Sequence, residues 1–253
     1  MTVRAVAVVP SAPLLLPAVS AGLPTAIADE VAALRAAVRV TLTGLPDVDT
    51  IVLVASGDDA TLPDGGCADL AGYGHPEVAA DVPVDRALLA AVATRTGTPR
   101  VRADHVDGDL AVLTLLIAET RPDATILLAT VARGAGGATL GGFAAGLLAA
   151  TDATERDVAV IASGDLSAAR DTTSPGYLVD GAVAWDQQTI DALVDDDLDG
   201  LLALGPVEAG RVGARSWAPL VVLLHLARAA GLRLDAPQLW APRGVGQLVA
   251  SSR

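Results

Sequence analysis

Two patterns of apolar and polar positions alternate along the chain. Short aliphatic and β-branched runs occur at Val3–Val9, Thr50–Ala55, Ala124–Val131 and Val158–Ser163, each bounded by Pro, Gly, Asp or Ser. Continuous apolar runs of this length predict strands buried on both sides. Between them the apolar spacing turns helical. Thr25 stands where it can cap a helix with Ile27, Val31, Leu34 and Val38 on one face. Asp85 opens the next, with Leu88, Leu89 and Val92 inward, and Asp109 to Glu119 and Thr139 to Ala150 predict two more. Beyond residue 170, Asp180 is placed to cap a helix running to Val194. Asp195, Asp196, Asp197 and Asp199 read as a solvated turn that caps the short helix after it. A longer helix spans Ser216 to Ala230 and stops at Gly231, and Gly246 to Ala250 is the last strand. Strand–helix alternation predicts an α/β fold: one domain over residues 1–253, with a mostly parallel central sheet and helices on both faces. No linker, repeat or charge block divides the chain.

Composition narrows the chemistry. Hydrophobic residues make up 52% of the 253 positions and aromatic ones only 2%, so Ala, Val and Leu must fill the core. All 17 basic residues are Arg, which removes any mechanism that needs a phosphate-binding or Schiff-base lysine. A net charge of −13 argues against nucleic acid or an anionic membrane as partner. The apolar stretch 5–23 is broken by Pro10, Pro13 and Pro17, so it reads as a strand and a stiffened loop rather than a signal peptide. No segment reaches the roughly 20 apolar residues that span a bilayer. Cys67 is the one cysteine and allows neither an internal disulfide nor a thiolate metal cage; a cytoplasmic location is expected.

Ligands of open α/β sheets sit at the carboxyl ends of the strands. The loops there read Pro10-Ser11-Ala12-Pro13, Ser56-Gly57-Asp58-Asp59, Arg133-Gly134-Ala135-Gly136-Gly137 and Ser163-Gly164-Asp165-Leu166-Ser167-Ala168. Gly134 and Gly136 have Thr139 where a dinucleotide fingerprint needs a third glycine, so this loop reads as a turn opening a small-residue helix. His75 falls in a loop, His105 lies near Asp104 and Asp107, and His225 falls inside the late helix as a packed residue. Neither a His-Glu-x-x-His pair nor a Gly-x-Ser-x-Gly elbow occurs. The candidate cleft residues are Ser11, Ser56, Asp58, Asp59, Asp107, Ser163, Asp165, Ser167 and Ala168. Taken singly, the Asp residues read as caps and turns.

The order of these loops resembles the LigB-type class III extradiol dioxygenase superfamily, which includes Memo-like proteins. More narrowly it resembles an actinobacterial branch of that superfamily. The markers are Pro10 to Pro17, Gly164-Asp165-Leu166-Ser167, Ser174-Pro175-Gly176-Tyr177-Leu178, Trp217-Ala218-Pro219, and Gly244-Val245-Gly246 with Val249-Ala250. The resemblance implies an Fe(II) site of two His and a Glu at the strand ends, a further His as acid/base, and opening of a catechol ring with O2. It also implies a homodimer or larger homo-oligomer. This sequence departs from the pattern at each histidine. The first-loop His position is Ser11; the loop after the second strand reads Ala55-Ser56-Gly57-Asp58; Val106-Asp107-Gly108-Asp109 stands for Leu-Asp-His-Gly; and Gly-Asp-Leu-Ser-His ends in Ala168. Hydroxyl and methyl groups cannot replace imidazole on Fe(II). The expectation is a diverged protein with no cofactor and no ring cleavage, its cleft reused for a small molecule or protein. An altered chemistry on Ser11, Asp58, Asp59, Asp107, Asp165 and Ser167, with Mg or Mn or with a carboxylate acid/base pair, is the alternative. A dioxygenase built from His75, His105 and His225 comes last.

Overall fold

The computed structural model describes residues 3–106 and 108–252. Strand β1 (Val3–Val9) leads through a short helix α1 (Pro17–Ser20) to α2 (Thr25–Thr43) and β2 (Thr50–Gly57). Short strands β3 (Leu62–Pro63), β4 (Cys67–Leu70) and β5 (His75–Asp81) precede α3 (Arg86–Thr96). After β6 (Arg100–Val101) and β7 (His105–Val106) come α4 (Gly108–Thr120), β8 (Thr125–Ala132), α5 (Gly137–Thr154) and β9 (Val158–Ser163). The chain ends with α6 (Ala182–Val194), α7 (Leu198–Arg211), α8 (Trp217–Ala230), β10 (Leu234–Trp240) and β11 (Gln247–Ser252).

The main sheet has the order β10-β11-β1-β9-β2-β8. Strands β1, β9, β2 and β8 are parallel, and β11 runs against both β1 and β10. This is the α/β architecture with a mostly parallel sheet that the alternation predicts. The four parallel strands are covered on both faces, which is why they read as unbroken apolar runs. On one face Ala7, Val9, Ile51, Leu53 and Ile161 pack with Leu34 and Val38 of α2 and Leu113 and Ile117 of α4. On the other, Val6, Val8, Val52, Val54 and Val160 pack with Leu88 and Leu89 of α3, Leu147 of α5 and Leu220 of α8. A core of small side chains brings helices close. A methyl on Gly146 of α5 would stand 2.6 Å from Thr96 Cγ2.

Strand β9 enters between β1 and β2, so the chain passes its place, builds β2 and β8, and then returns. Such a reversal of strand order opens a crevice at the carboxyl ends of the strands. No helix among the described residues is long and apolar enough to cross a membrane.

Local predictions differ from the structure in several places, among them a strand β10 that the spacing does not predict. Thr25 is the first residue of α2 and caps nothing; Pro24, with its ring-fixed φ, delivers the chain into the helix. Gly181, not Asp180, precedes α6, at φ 85°, a conformation that costs glycine little. His75 opens β5 of a three-stranded sheet ordered β5-β4-β7. The other two strands of this sheet and the β3–β6 pair have only two to four residues, too few for periodicity to reveal. Asp85 and Asp197 do cap α3 and α7.

Candidate functional site

The loops after β1 and β9 meet at the crevice because Gly164 lets three strands close on one another. Its N–H donates to the Val9 carbonyl at 2.9 Å, and its carbonyl accepts from Leu248 N–H at 2.9 Å. A side-chain carbon on Gly164 would collide with the Leu248 carbonyl and stand 2.8 Å from Val8 Cγ1. The approach sets Asp165 beside Ser11. Oδ2 of Asp165 accepts from Ser11 N–H at 3.0 Å, from Ser163 Oγ–H at 2.8 Å and from the Ser11 hydroxyl. The two serine oxygens are 3.2 Å apart. Three donors thus converge on that one oxygen.

The Asp165 carbonyl accepts the N–H groups of Arg215 and Ser216, at 3.1 Å each, and so fixes the start of α8. The Ser56 hydroxyl donates to the Arg215 carbonyl. Held from both sides, Arg215 sends its Nε to Asp109 Oδ2 at 3.0 Å. Ser11, Asp165, Arg215 and Asp109 border a cleft of about 440 Å3, within the range of roughly 300–1,000 Å3 for small-molecule sites. Ser11, Asp109, Asp165, Arg215 and Gln247 give it polar groups; Pro13, Leu14, Leu166 and Val245 give it apolar walls, and Tyr73 and Arg243 also line it. The Asp109 and Asp165 residues are each only 9% exposed. Gln247 is buried in the cleft lining, and its Oε1 has no hydrogen-bond partner among the described residues.

Burial, and next the negative charge of Asp165, push the Asp109 carboxyl up to about 6, against the opposing pull of Arg215 and Ser11. A carboxyl in this range can both give and take a proton near neutral pH.

Of the residues named from sequence, Ser11, Asp165 and Ala168 line the cleft. Ser163 lies buried, bonded to Asp165. Ser56 opens instead onto a neighbouring cavity of about 220 Å3. Ser167 is a correction: its N–H and hydroxyl bind Asp186 at 2.9 and 2.8 Å, and Asp186 also pairs with Arg170. Its polar groups anchor the loop rather than serve the cleft. Asp58 and Asp59 are corrections too. Strand β2 runs on to Gly57 and leaves both exposed, Asp58 paired with Arg133 at 2.6 Å. Asp107 lies outside the described residues. Sequence reasoning missed Asp109, Arg215 and Gln247. Asp109 reads as a helix opening, and the other two reach the cleft from distant segments.

The histidines do not converge. Nδ1 of His75 lies 3.1 Å from Glu77, and Nδ1 of His105 lies 2.8 Å from Asp69, on opposite sides of β4. His225 packs on α8 against Gly141 of α5. None of the three lines the cleft.

No family model and no curated protein sequence matches the chain. Its fold is similar to the crystal structure of the uncharacterized protein JW3007 from Escherichia coli K12, with a TM-score of 0.61. The match covers 98% of each chain at 12% sequence identity, and so concerns the fold alone.

The donor set does not fit the iron that the resemblance implies. The cleft offers hydroxyls, two carboxylates and an amide, and no imidazole. The Arg215 guanidinium already lies on Asp109, where a second cation would be repelled. Among the described residues no group of three or more His, Cys, Asp or Glu is arranged to hold a metal ion.

Proposed function

We propose that the protein is a diverged member of the LigB-type extradiol dioxygenase superfamily whose cleft takes a small organic molecule without iron. The observation that carries this reading is the ion pair of Arg215 with Asp109 at the place where the strand ends meet. A fixed guanidinium supplies the positive charge there, and the surrounding serines have no nitrogen to offer a metal. The apolar walls suit a carbon skeleton. The unpartnered Gln247 Oε1 suits a ligand that carries a hydrogen-bond donor, because an unpaired buried acceptor costs about 1–3 kcal/mol.

The test combines metal analysis with ligand detection. Protein reconstituted with Fe(II) under reducing conditions is expected to retain far less than one iron per chain and to leave protocatechuate uncleaved. A fragment library screened by saturation-transfer NMR is expected to give binders that Ala168→Trp, which fills the cleft, abolishes. Stoichiometric iron with ring cleavage, or a library without a single cleft binder, refutes the reading.

A further inference from the structure

We propose that Asp165 and Gln247 form the head of a binding site for small aliphatic primary amines, held as their ammonium ions. The inference rests on the reading that the cleft takes a small organic molecule, and it names the chemical class of that molecule.

The geometry begins with a β-bridge. Asp165 and Gln247 are antiparallel partners. Leu166 N–H donates to the Gly246 carbonyl at 2.8 Å, and Leu248 N–H to the Gly164 carbonyl at 2.9 Å. These bonds flank the pair, an arrangement that brings the two Cα atoms to about 4.5 Å and the side chains closest together. Both residues line the cleft. Every hydrogen bond to the Asp165 carboxylate among the described residues falls on Oδ2, from Ser11 and Ser163. Its Oδ1 accepts none of them. Oε1 of Gln247 has no partner there either, in a residue only 2% exposed. Two neighbouring side chains thus bring acceptor oxygens to the cleft with no donor between them.

Charge selects the ligand. Arg215 and Asp109 answer each other through a contact of 3.0 Å. Asp165 has serine partners only, with no guanidinium or imidazole on its carboxylate among the described residues. A buried carboxylate without a counter-ion is unfavourable, and a cation on Oδ1, away from the Arg215 contact, relieves it. An ammonium fits that place. Asp165 Oδ1 takes one of its N–H groups, Gln247 Oε1 takes a second, and the third is left to water. Calcium and magnesium need about six or more oxygens, which this pair does not supply. Pro13, Leu14, Leu166 and Val245 receive the alkyl chain. Arg243 also lines the cleft, but its side chain is exposed and its charge solvated.

Butylamine serves as probe, with 1-butanol and butyrate as its neutral and anionic matches. An alkylamine, like a lysine side chain, is charged at neutral pH. Binding is followed by titration in nitrogen-15 NMR spectra. Butylamine is expected to bind about ten-fold tighter than either match, because hydrogen bonds to a charged group are the stronger ones. It should shift the side-chain amide resonances of Gln247 and lose its binding in Ala168→Trp. Gln247→Met keeps the length of the side chain and removes the acceptor. It should weaken butylamine about ten-fold and leave the urea midpoint unchanged or higher, because the unpaired buried oxygen is gone. If Gln247→Met does not fold, the Gln247 amide shifts of the wild type decide in its place. Butanol or butyrate bound as tightly as butylamine, a Gln247→Met protein that binds butylamine like wild type, or amide resonances that stay still overturn the ammonium site and leave the binding reading standing. Absence of butylamine binding overturns the proposal too, and a failed fragment screen would then remove the binding reading with it.

Discussion

Two buried aspartates show how one side chain acquires opposite tasks from its surroundings. Asp109 is pushed above its ordinary 3.8 to about 6, first by burial and then by Asp165. The native state therefore binds more protons than the unfolded chain between those values, and this group's contribution to stability falls as pH rises through the window. Asp109→Asn removes the conflict. Urea unfolding should show the variant more stable at pH 7 by on the order of 1–2 kcal/mol, with little difference near pH 4. Asp85 has the reverse sign. Burial alone would raise it, but the Leu88 N–H, the Thr50 hydroxyl, the Arg156 guanidinium and the Ala87 N–H together hold it below 3.8. Its contribution is present above the ordinary carboxylate range and is lost as pH falls through its lowered value. Asp85→Ala uncaps α3 and strips Thr50 and Arg156 of a partner. A loss of about 2–3 kcal/mol at pH 7 is expected by chemical denaturation. The cap was legible in the sequence, because Asp before an apolar helical face has a local meaning. The raised state of Asp109 was not, because its causes lie on other segments.

Elements were legible where their signal is local and long. The four parallel strands stood out as apolar runs, and their ends differ from the observed ones by at most two residues. Helices α3, α4, α5 and α8 followed from spacing and from stop signals such as Gly231. The two- to four-residue strands β3, β4, β6 and β7 were not, because they are held by pairing and not by pattern. Close packing between elements also escapes periodicity. Gly164 sits where a methyl meets the Leu248 carbonyl and Val8. Gly164→Ala should lower stability by about 1–3 kcal/mol and shift the Ser11 amide resonance, as β9 moves Asp165 away from it.

At the scale of the whole molecule, a net charge of −13 with no Lys leaves acidic groups in excess across the surface. Their repulsion favours expansion, and salt screens it. The melting temperature should rise between about 0.01 M and about 0.15 M sodium chloride, where the screening length shortens from roughly 30 to 8 Å. A flat response in thermal scans would mean that the charges are locally paired. The sequence by itself determined the strand–helix alternation, the aliphatic core and the loops in which to look for function, because each depends on neighbours within a few turns of chain. Only the tertiary structure decided which members of those loops meet. It inserted β9 between β1 and β2, turned Ser167 onto Asp186, left Asp58 and Asp59 in solvent, and brought Arg215 and Gln247 to Asp109 and Asp165. Such meetings depend on strand order and on close approach across the sheet, quantities that no local window of residues contains.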